Sequence, residues 1–156
     1  MRRYADSTSV PIERSRGELS TMLRSRYGAQ GVIVGENDSK IMVEFIFKAR
    51  RIRFVLSLPG SSAVFTTLTG RKKRDQRSAA LQEERRLWRA LVLRIKTKLI
   101  EVIEQNISVD EAFLPYIVMP DGRTMYEIAR DKIEQAYLSG EMPDDFLQLP
   151  GMGETH

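Results

Sequence analysis

The chain has 156 residues, of which 42% are apolar and 29% are charged, and its formal net charge at pH 7 is +4. This length suits one domain with its own core. The sequence has no cysteine and a single histidine, His156, which excludes disulfides, thiolate metal sites, cysteine nucleophiles and serine–histidine triads. Carboxylate chemistry, a lysine nucleophile or a purely binding role stay open.

The positive charge is concentrated in the first part of the chain. Residues 1–100 contain 22 Lys and Arg against 9 Asp and Glu, whereas residues 101–156 contain 3 against 12. This asymmetry predicts a polyanionic partner for the basic part, with the acidic part as a counterweight or a second interface. The alternative is that basic and acidic elements pack side by side and neutralise each other.

The first predicted element is a helix that starts around Pro11 and stops at Gly28, with an apolar stripe at helical spacing. A short strand is predicted at residues 32–34. Two further strands are predicted at residues 41–48 and 51–58, because apolar and polar side chains alternate in both segments.

The two alternating segments predict a hairpin whose turn is Ala49-Arg50, with Glu44 opposite Val55. Neither turn residue favours a positive φ, so a longer or bulged loop is the alternative. Positive charge collects at the tip of this hairpin, and one of its faces is apolar. The apolar face consists of Ile41, Val43, Phe45, Phe47, Ile52, Phe54, Leu56 and Leu58.

Residues 63–69 are predicted to form either a fourth strand or an ordered loop. A long helix is predicted at about residues 78–105, with a broad apolar stripe. That stripe consists of Leu81, Trp88, Leu91, Val92, Ile95, Leu99 and Val102. Capping motifs at Ser108 and Thr124 predict two more helices, the second ending at Gly140. The apolar positions of this last helix are Met125, Ile128, Ile133, Ala136 and Tyr137.

Together these elements predict an α+β fold, in which a small antiparallel sheet of three or four strands packs against one long helix. An N-terminal helix and a C-terminal helical subdomain complete it. Residues 1–140 are expected to form a single domain, basic over residues 1–100 and acidic and helical over residues 101–140. Residues 141–156 are expected to be a flexible acidic tail, which is an ordinary disordered terminus, a docking segment, or a segment that folds back onto the basic surface as a nucleic-acid mimic.

Three stretches together resemble a family of small uncharacterised proteins encoded by bacteriophages and prophages. They are residues 51–59 (RIRFVLSLP), 88–99 (WRALVLRIKTKL) and 113–124 (FLPYIVMPDGRT). The resemblance covers the chain from about Tyr4 to Gly140. It implies a phage origin and a bacterial cytoplasmic setting, and it favours nucleic-acid transactions or interference with the host. No activity or catalytic residue follows from it.

Three clusters of cations are the candidate nucleic-acid-binding residues, because arginine and lysine bind phosphate oxygens. The alternatives are a solvated loop, an edge strand protected by charge, and ion pairs within the long helix. The basic loop consists of Arg71, Lys72, Lys73, Arg74 and Arg77. The hairpin tip consists of Lys48, Arg50, Arg51 and Arg53. The helix ridge consists of Arg85, Arg89 and Lys96.

The aromatic residues argue against base-specific recognition of single strands, which needs exposed rings for stacking. Only Tyr4, Tyr27 and Phe65 are expected to be exposed. A metal-dependent nuclease using Glu36, Asp38 and Glu44 is disfavoured, because Asp38 and Glu44 would lie about 20 Å apart on an extended strand.

The sequence therefore predicts a non-enzymatic, phage-encoded nucleic-acid-binding protein that makes mainly phosphate contacts through the hairpin tip and the basic loop. DNA is favoured over RNA, and no cofactor, metal or membrane contact is expected. The alternative is a protein–protein module that inhibits or recruits a host factor through the acidic C-terminal helices and tail. Homodimerisation through the long helix belongs to this alternative. The expected location is the cytoplasm of the bacterial host.

Overall fold

A computed structural model describes residues 9–60 and 63–146. These residues form an α+β fold that contains a three-stranded antiparallel sheet in the order β1-β2-β3. The α-helices and strands are α1 (Ile12–Thr21), β1 (Gln30–Glu36), β2 (Lys40–Phe47), β3 (Arg50–Ser57), α2 (Gln76–Ile103), α3 (Val109–Ala112) and α4 (Met125–Ser139). A π-helical turn, Met22–Arg26, continues α1, and a 3-10 turn, Leu114–Tyr116, follows α3.

The turn between β2 and β3 differs from the prediction. It consists of Lys48 and Ala49, whose φ angles are 45° and 63°, and Glu44 is paired with Arg53 instead of Val55. The predicted register was therefore wrong by two residues. Such a shift leaves every side chain on its own face of the sheet, so the alternation in the sequence could not distinguish the two registers. The observed register places a carboxylate opposite an arginine, which stabilises the pairing.

The core lies between one face of the sheet and the buried face of α2, and α1 closes it on one side. The predicted apolar face of the hairpin is confirmed: Ile41 and Phe54 are fully buried, and Leu56 and Leu58 are partly buried. The α2 stripe is also confirmed, except that Leu81 is 42% exposed. Before Trp88, Ala79 is the only buried residue of α2, so this part of the helix lies at the margin of the core.

Phe113 attaches the C-terminal subdomain to the sheet. Its ring is fully buried and makes edge-on contacts with three phenylalanines of β2 and β3, with centroids 6.1 to 6.4 Å apart. The backbone N–H of Val118 also donates to the carbonyl of Arg51, which covers part of the outer edge of β3. The acidic part of the chain is therefore packed directly against the basic part.

Both predicted cap residues are confirmed: Ser108 caps α3, and Thr124 and Glu127 form a capping box on α4. The left-handed Gly140 ends α4, as predicted. The predicted apolar face of α4 is only partly buried, because α4 contacts the 3-10 turn and little else. Ile128 is buried, whereas Ile133 and Tyr137 are 42% and 88% exposed.

Residues 63–69 form a loop with one isolated β-bridge, not a fourth strand of the sheet. Tyr4 and residues 147–156 of the expected tail lie outside the described residues. Among the helices that the structure describes, none combines the length and apolar character needed to span a membrane.

Candidate nucleic-acid interface

The basic loop is held in a defined conformation at the start of α2. The backbone folds back on itself at Gly70, and Thr66 and Lys72 form an isolated antiparallel bridge. The N–H of Lys73 donates to the carbonyl of Phe65 at 2.9 Å, so the two limbs of the loop are joined on both sides of the bridge. The turn needs a positive φ, which Gly70 provides at 85°.

The side chain of Gln76 fastens this loop to the helix. Its amide oxygen accepts the N–H of Phe65 at 2.7 Å, and its amide nitrogen donates to the carbonyls of Phe65 and Lys73. One residue earlier, Asp75 caps α2 by accepting the N–H of Ser78. The cations on residues 71–77 are therefore carried by an anchored backbone.

All five side chains of the basic loop are exposed, and none forms an ion pair with another described residue. Asp75 is the acidic residue within the loop, and its carboxylate is occupied as the helix cap. The backbone N–H of Ser78 is the largest influence that lowers the pKa of Asp75. The loop thus presents a net positive charge to solvent, of which Asp75 offsets only a part through Arg77.

The hairpin tip is different, because carboxylates already hold three of its four cations. Arg50 makes a two-pronged contact with Asp110, with N···O distances of 2.7 and 3.1 Å. Arg51 and Arg53 donate to the two oxygens of Glu44 at 2.6 and 2.8 Å. Lys48 is exposed and lies 6.0 Å from the ring centroid of Phe47. Two carboxylates, Glu44 and Asp110, thus offset half of the positive charge expected at the tip.

Glu44 is the carboxylate that organises the tip, since it is buried on the otherwise exposed face of the hairpin. Burial by itself would raise its pKa, but hydrogen bonds from Arg51 and Arg53 outweigh this effect and lower it. Both oxygens of Glu44 are therefore occupied by arginines. No three His, Cys, Asp or Glu side chains in the described part of the chain are arranged to hold a metal ion.

The helix ridge is also partly neutralised. Arg89 donates to Glu18 of α1 at 2.7 Å, and this hydrogen bond is the main influence lowering the pKa of Glu18. Lys96 adds a smaller electrostatic contribution to that shift. Arg85 is half-buried, and its Nε has no hydrogen-bond partner. Arg89 is therefore part of the contact between α1 and α2.

An acidic cleft lies where α1, the end of β1 and the start of α2 meet. It is lined by Glu13, Glu36, Asp38 and Glu84, together with Arg16. The carboxyl of Glu36 is hydrogen-bonded to that of Glu84, which with burial raises the pKa of Glu84 to about 7. Four carboxyl groups surround a single arginine in this cleft, so it is unsuited to binding a phosphate.

The expectation about exposed aromatic rings was wrong for the described residues. Tyr27 and Phe65 are partly buried, whereas Tyr126 and Tyr137 on α4 are 57% and 88% exposed. Tyr126 lines a separate cleft along the outer edge of β3, which also contains Lys40, Arg94 and Arg130. These residues are spread over 91 positions of the sequence, so no local motif could have grouped them.

The comparisons add no named relative to this picture. No protein-family model matches the chain, and no similar curated protein or solved structure was found.

Proposed function

We propose that this protein binds nucleic acid through the basic loop, by contacts with the phosphate backbone. A single observation carries the proposal: the five loop cations are exposed, anchored and unpaired among the described residues, while most of the other predicted cations have partners. An anchored loop has less conformational freedom to lose on binding than a mobile one. The proposed interface is therefore centred on Arg71, Lys72, Lys73 and Arg74, and the hairpin tip, the other predicted cluster, is secondary to it.

Phosphate contacts of this kind depend strongly on salt, because each neutralised phosphate releases condensed counterions. Four contacts to duplex DNA correspond to a slope of about −3.6 for log K against log salt. Raising the salt from 50 to 200 mM would then weaken binding about 150-fold. The proposal contains no catalytic step and no base-specific contact. Its setting is the bacterial cytoplasm of a phage host, with DNA as the favoured polymer.

The test is fluorescence anisotropy with labelled single- and double-stranded DNA and RNA between 50 and 200 mM salt. The wild-type chain is compared with the variant in which Arg71, Lys72, Lys73 and Arg74 are all replaced by alanine. Binding should be independent of base sequence, and the variant should lose most of the salt dependence. Absence of binding at 50 mM salt, where charges are least screened, would overturn the proposal.

A matched control separates the loop from the overall charge of the chain. Lys72→Ala with Lys73→Ala removes two cations from the loop, and Arg14→Ala with Arg26→Ala removes two exposed cations from the first helical segment. The loop pair should make the salt slope shallower by about 1.8, whereas the control pair should leave it nearly unchanged. Equal effects of the two pairs would contradict a loop-centred interface.

A second candidate is a protein-binding function of α4. Tyr137, Leu138 and Met142 are 88%, 82% and 72% exposed at its C-terminal end, beside Glu141. An apolar patch with acidic neighbours suits a partner protein whose own apolar groove is bordered by cations. A complex that survives the four-alanine loop variant but is lost on Tyr137→Ser with Leu138→Ser would support this second function over the first.

A further inference from the structure

A positively charged cleft lies along the outer edge of β3, and we call it the edge cleft. Its volume is about 470 Å³, within the range of small-molecule sites. The strands, α2 and α4 each contribute basic side chains to it, and the segment between α3 and α4 contributes an aromatic ring. The cations are Lys40, Arg53, Arg94 and Arg130, and the two aromatic residues are Tyr116 and Tyr126.

The positive charge of the edge cleft is only partly balanced. Lys40 and Arg94 form no ion pair with any described residue, whereas Arg130 pairs with its exposed neighbour Asp131 at 3.5 Å and also interacts electrostatically with Glu127. Arg53 shares Glu44 with Arg51 on the outer face of the sheet. The cleft therefore attracts anions.

Glu127 is the carboxylate that lines the edge cleft, and it already accepts a hydrogen bond within α4's capping box. Its side chain accepts the N–H of Thr124 at 2.7 Å as part of the capping box. This backbone hydrogen bond is the main influence lowering the pKa of Glu127, and Arg53 and Arg130 lower it further. Both arginines thus interact electrostatically with the Glu127 carboxylate, which is itself an anion lining the cleft.

Arg94 is a cation of the edge cleft that is held by aromatic rings. Its guanidinium lies 5.2 Å from the ring centroid of Phe54 and 5.5 Å from that of Tyr116. These two rings are stacked 4.0 Å apart, so they hold the arginine in place. Its Nε is buried without a hydrogen-bond partner, which is costly, and because this atom has almost no exposed surface an anion in the cleft would have to contact the other guanidinium nitrogens.

Tyr126 gives the edge cleft an exposed aromatic ring, which the binding of an inorganic anion would not require. It is in the first turn of α4, lines the edge cleft and is 57% exposed. An exposed aromatic ring beside several cations suits a ligand that has both a phosphate and a planar base. Stacking on such a ring is tolerant of base identity because every base has a π-face.

We propose that the edge cleft binds a nucleotide, with its phosphate at Lys40, Arg94 and Arg130 and its base against Tyr126. The ligand is either a free mononucleotide or the phosphorylated end of a nucleic-acid strand. The inference goes beyond the proposed function, since the edge cleft uses no residue of the basic loop. Arg94 is about 26 Å along α2 from Arg77.

The test is isothermal titration of the full chain with adenosine 5′-monophosphate, adenosine and inorganic phosphate. The nucleotide should bind more tightly than phosphate, and adenosine should bind most weakly. An oligonucleotide with a 5′-phosphate distinguishes the two sources of the ligand. Tighter binding of this oligonucleotide than of the mononucleotide indicates a strand end, and the reverse order indicates a free nucleotide. Equal binding of the nucleotide and phosphate, or no binding of either, would overturn the proposal.

Substitutions at exposed positions should leave the fold intact, so that a change in affinity reports on the edge cleft itself. Lys40→Gln with Arg130→Gln should weaken nucleotide binding about tenfold or more, because two phosphate contacts are lost. Tyr126→Ala should weaken binding of the nucleotide but not of inorganic phosphate. Unchanged nucleotide binding by either variant would contradict the assignment.

The four-alanine variant of the basic loop serves as the control for the edge cleft. It should bind the mononucleotide as the wild type does, because none of the four residues lines the cleft. A failure of the edge cleft is thereby distinguished from a failure of the proposed polymer interface. Loss of mononucleotide binding in the loop variant would contradict a separate site.

Discussion

The raised pKa of Glu84 in the acidic cleft makes the stability of the fold depend on pH. The ordinary pKa of Glu84 is 4.5, and the neighbouring Glu36 carboxyl, burial and the charge of Glu13 raise it to about 7 in the folded chain. Between these two values the folded state binds a proton that the unfolded state does not. The free energy of unfolding therefore falls as the pH rises from about 4.5 to about 7.

Replacing Glu84 with Gln mimics the protonated carboxyl at every pH, so Glu84→Gln should remove this contribution. The difference between the two pKa values corresponds to about 3 kcal/mol at about 1.4 kcal/mol for each pH unit. Solvent reaches this cleft and screens the repulsion, so the expected gain is about 1 kcal/mol above pH 7. The gain should disappear below about pH 4, where the wild-type carboxyl is mostly protonated in both states.

Urea unfolding followed by circular dichroism at pH 5 and pH 8 measures this effect. Glu101→Gln is the matched control, because Glu101 is on the same helix but does not line the acidic cleft. Its effect on stability should be nearly the same at both pH values. The reasoning would be refuted if the stability difference between the Glu84→Gln variant and the wild type were the same at pH 5 and at pH 8.

Three further predictions concern stability, and each can be measured by chemical or thermal unfolding. Phe113→Ala should lower the free energy of unfolding by about 3–5 kcal/mol, because it removes the ring that three other phenylalanines contact; a loss below about 1 kcal/mol would mean that the subdomain is not anchored there. Ala49→Gly should raise it by about 0.5 kcal/mol, since Ala49 has a φ of 63°; a decrease would show that the turn is not strained. Thr124→Ala should lower it by about 1 kcal/mol through loss of the α4 cap, and hydrogen exchange should accelerate in the first turn of α4.

The cap and stop residues show what short-range sequence patterns could predict. Ser108, Thr124 and Gly140 bound their helices where the patterns placed them. These signals act between residues three or four positions apart, so one local stretch contains all the information. The buried face of α2 from Trp88 onward was predictable for the same reason, because helical periodicity is a local property.

The hairpin shows where local patterns stopped being sufficient. Alternation identified the buried face of β2 and β3 correctly, but it could not choose between registers that differ by two residues. The cross-strand contact of Glu44 with Arg53 accompanies the observed register. The exposed apolar residues of α4 are a second case, because the helix period marks an apolar face without indicating whether another element covers it.

By itself, the sequence determined the fold class, the positions of the helices and strands, and the excess of cations in the first 100 residues. Only the tertiary structure decided which cations are free. Arg50 forms an ion pair with Asp110, which is 60 positions away in the sequence. The cations of the basic loop form no such ion pair with any described residue. The physical reason is that helix and strand patterns depend on near neighbours, whereas an ion pair depends on a distance of a few ångströms between side chains that only folding brings together.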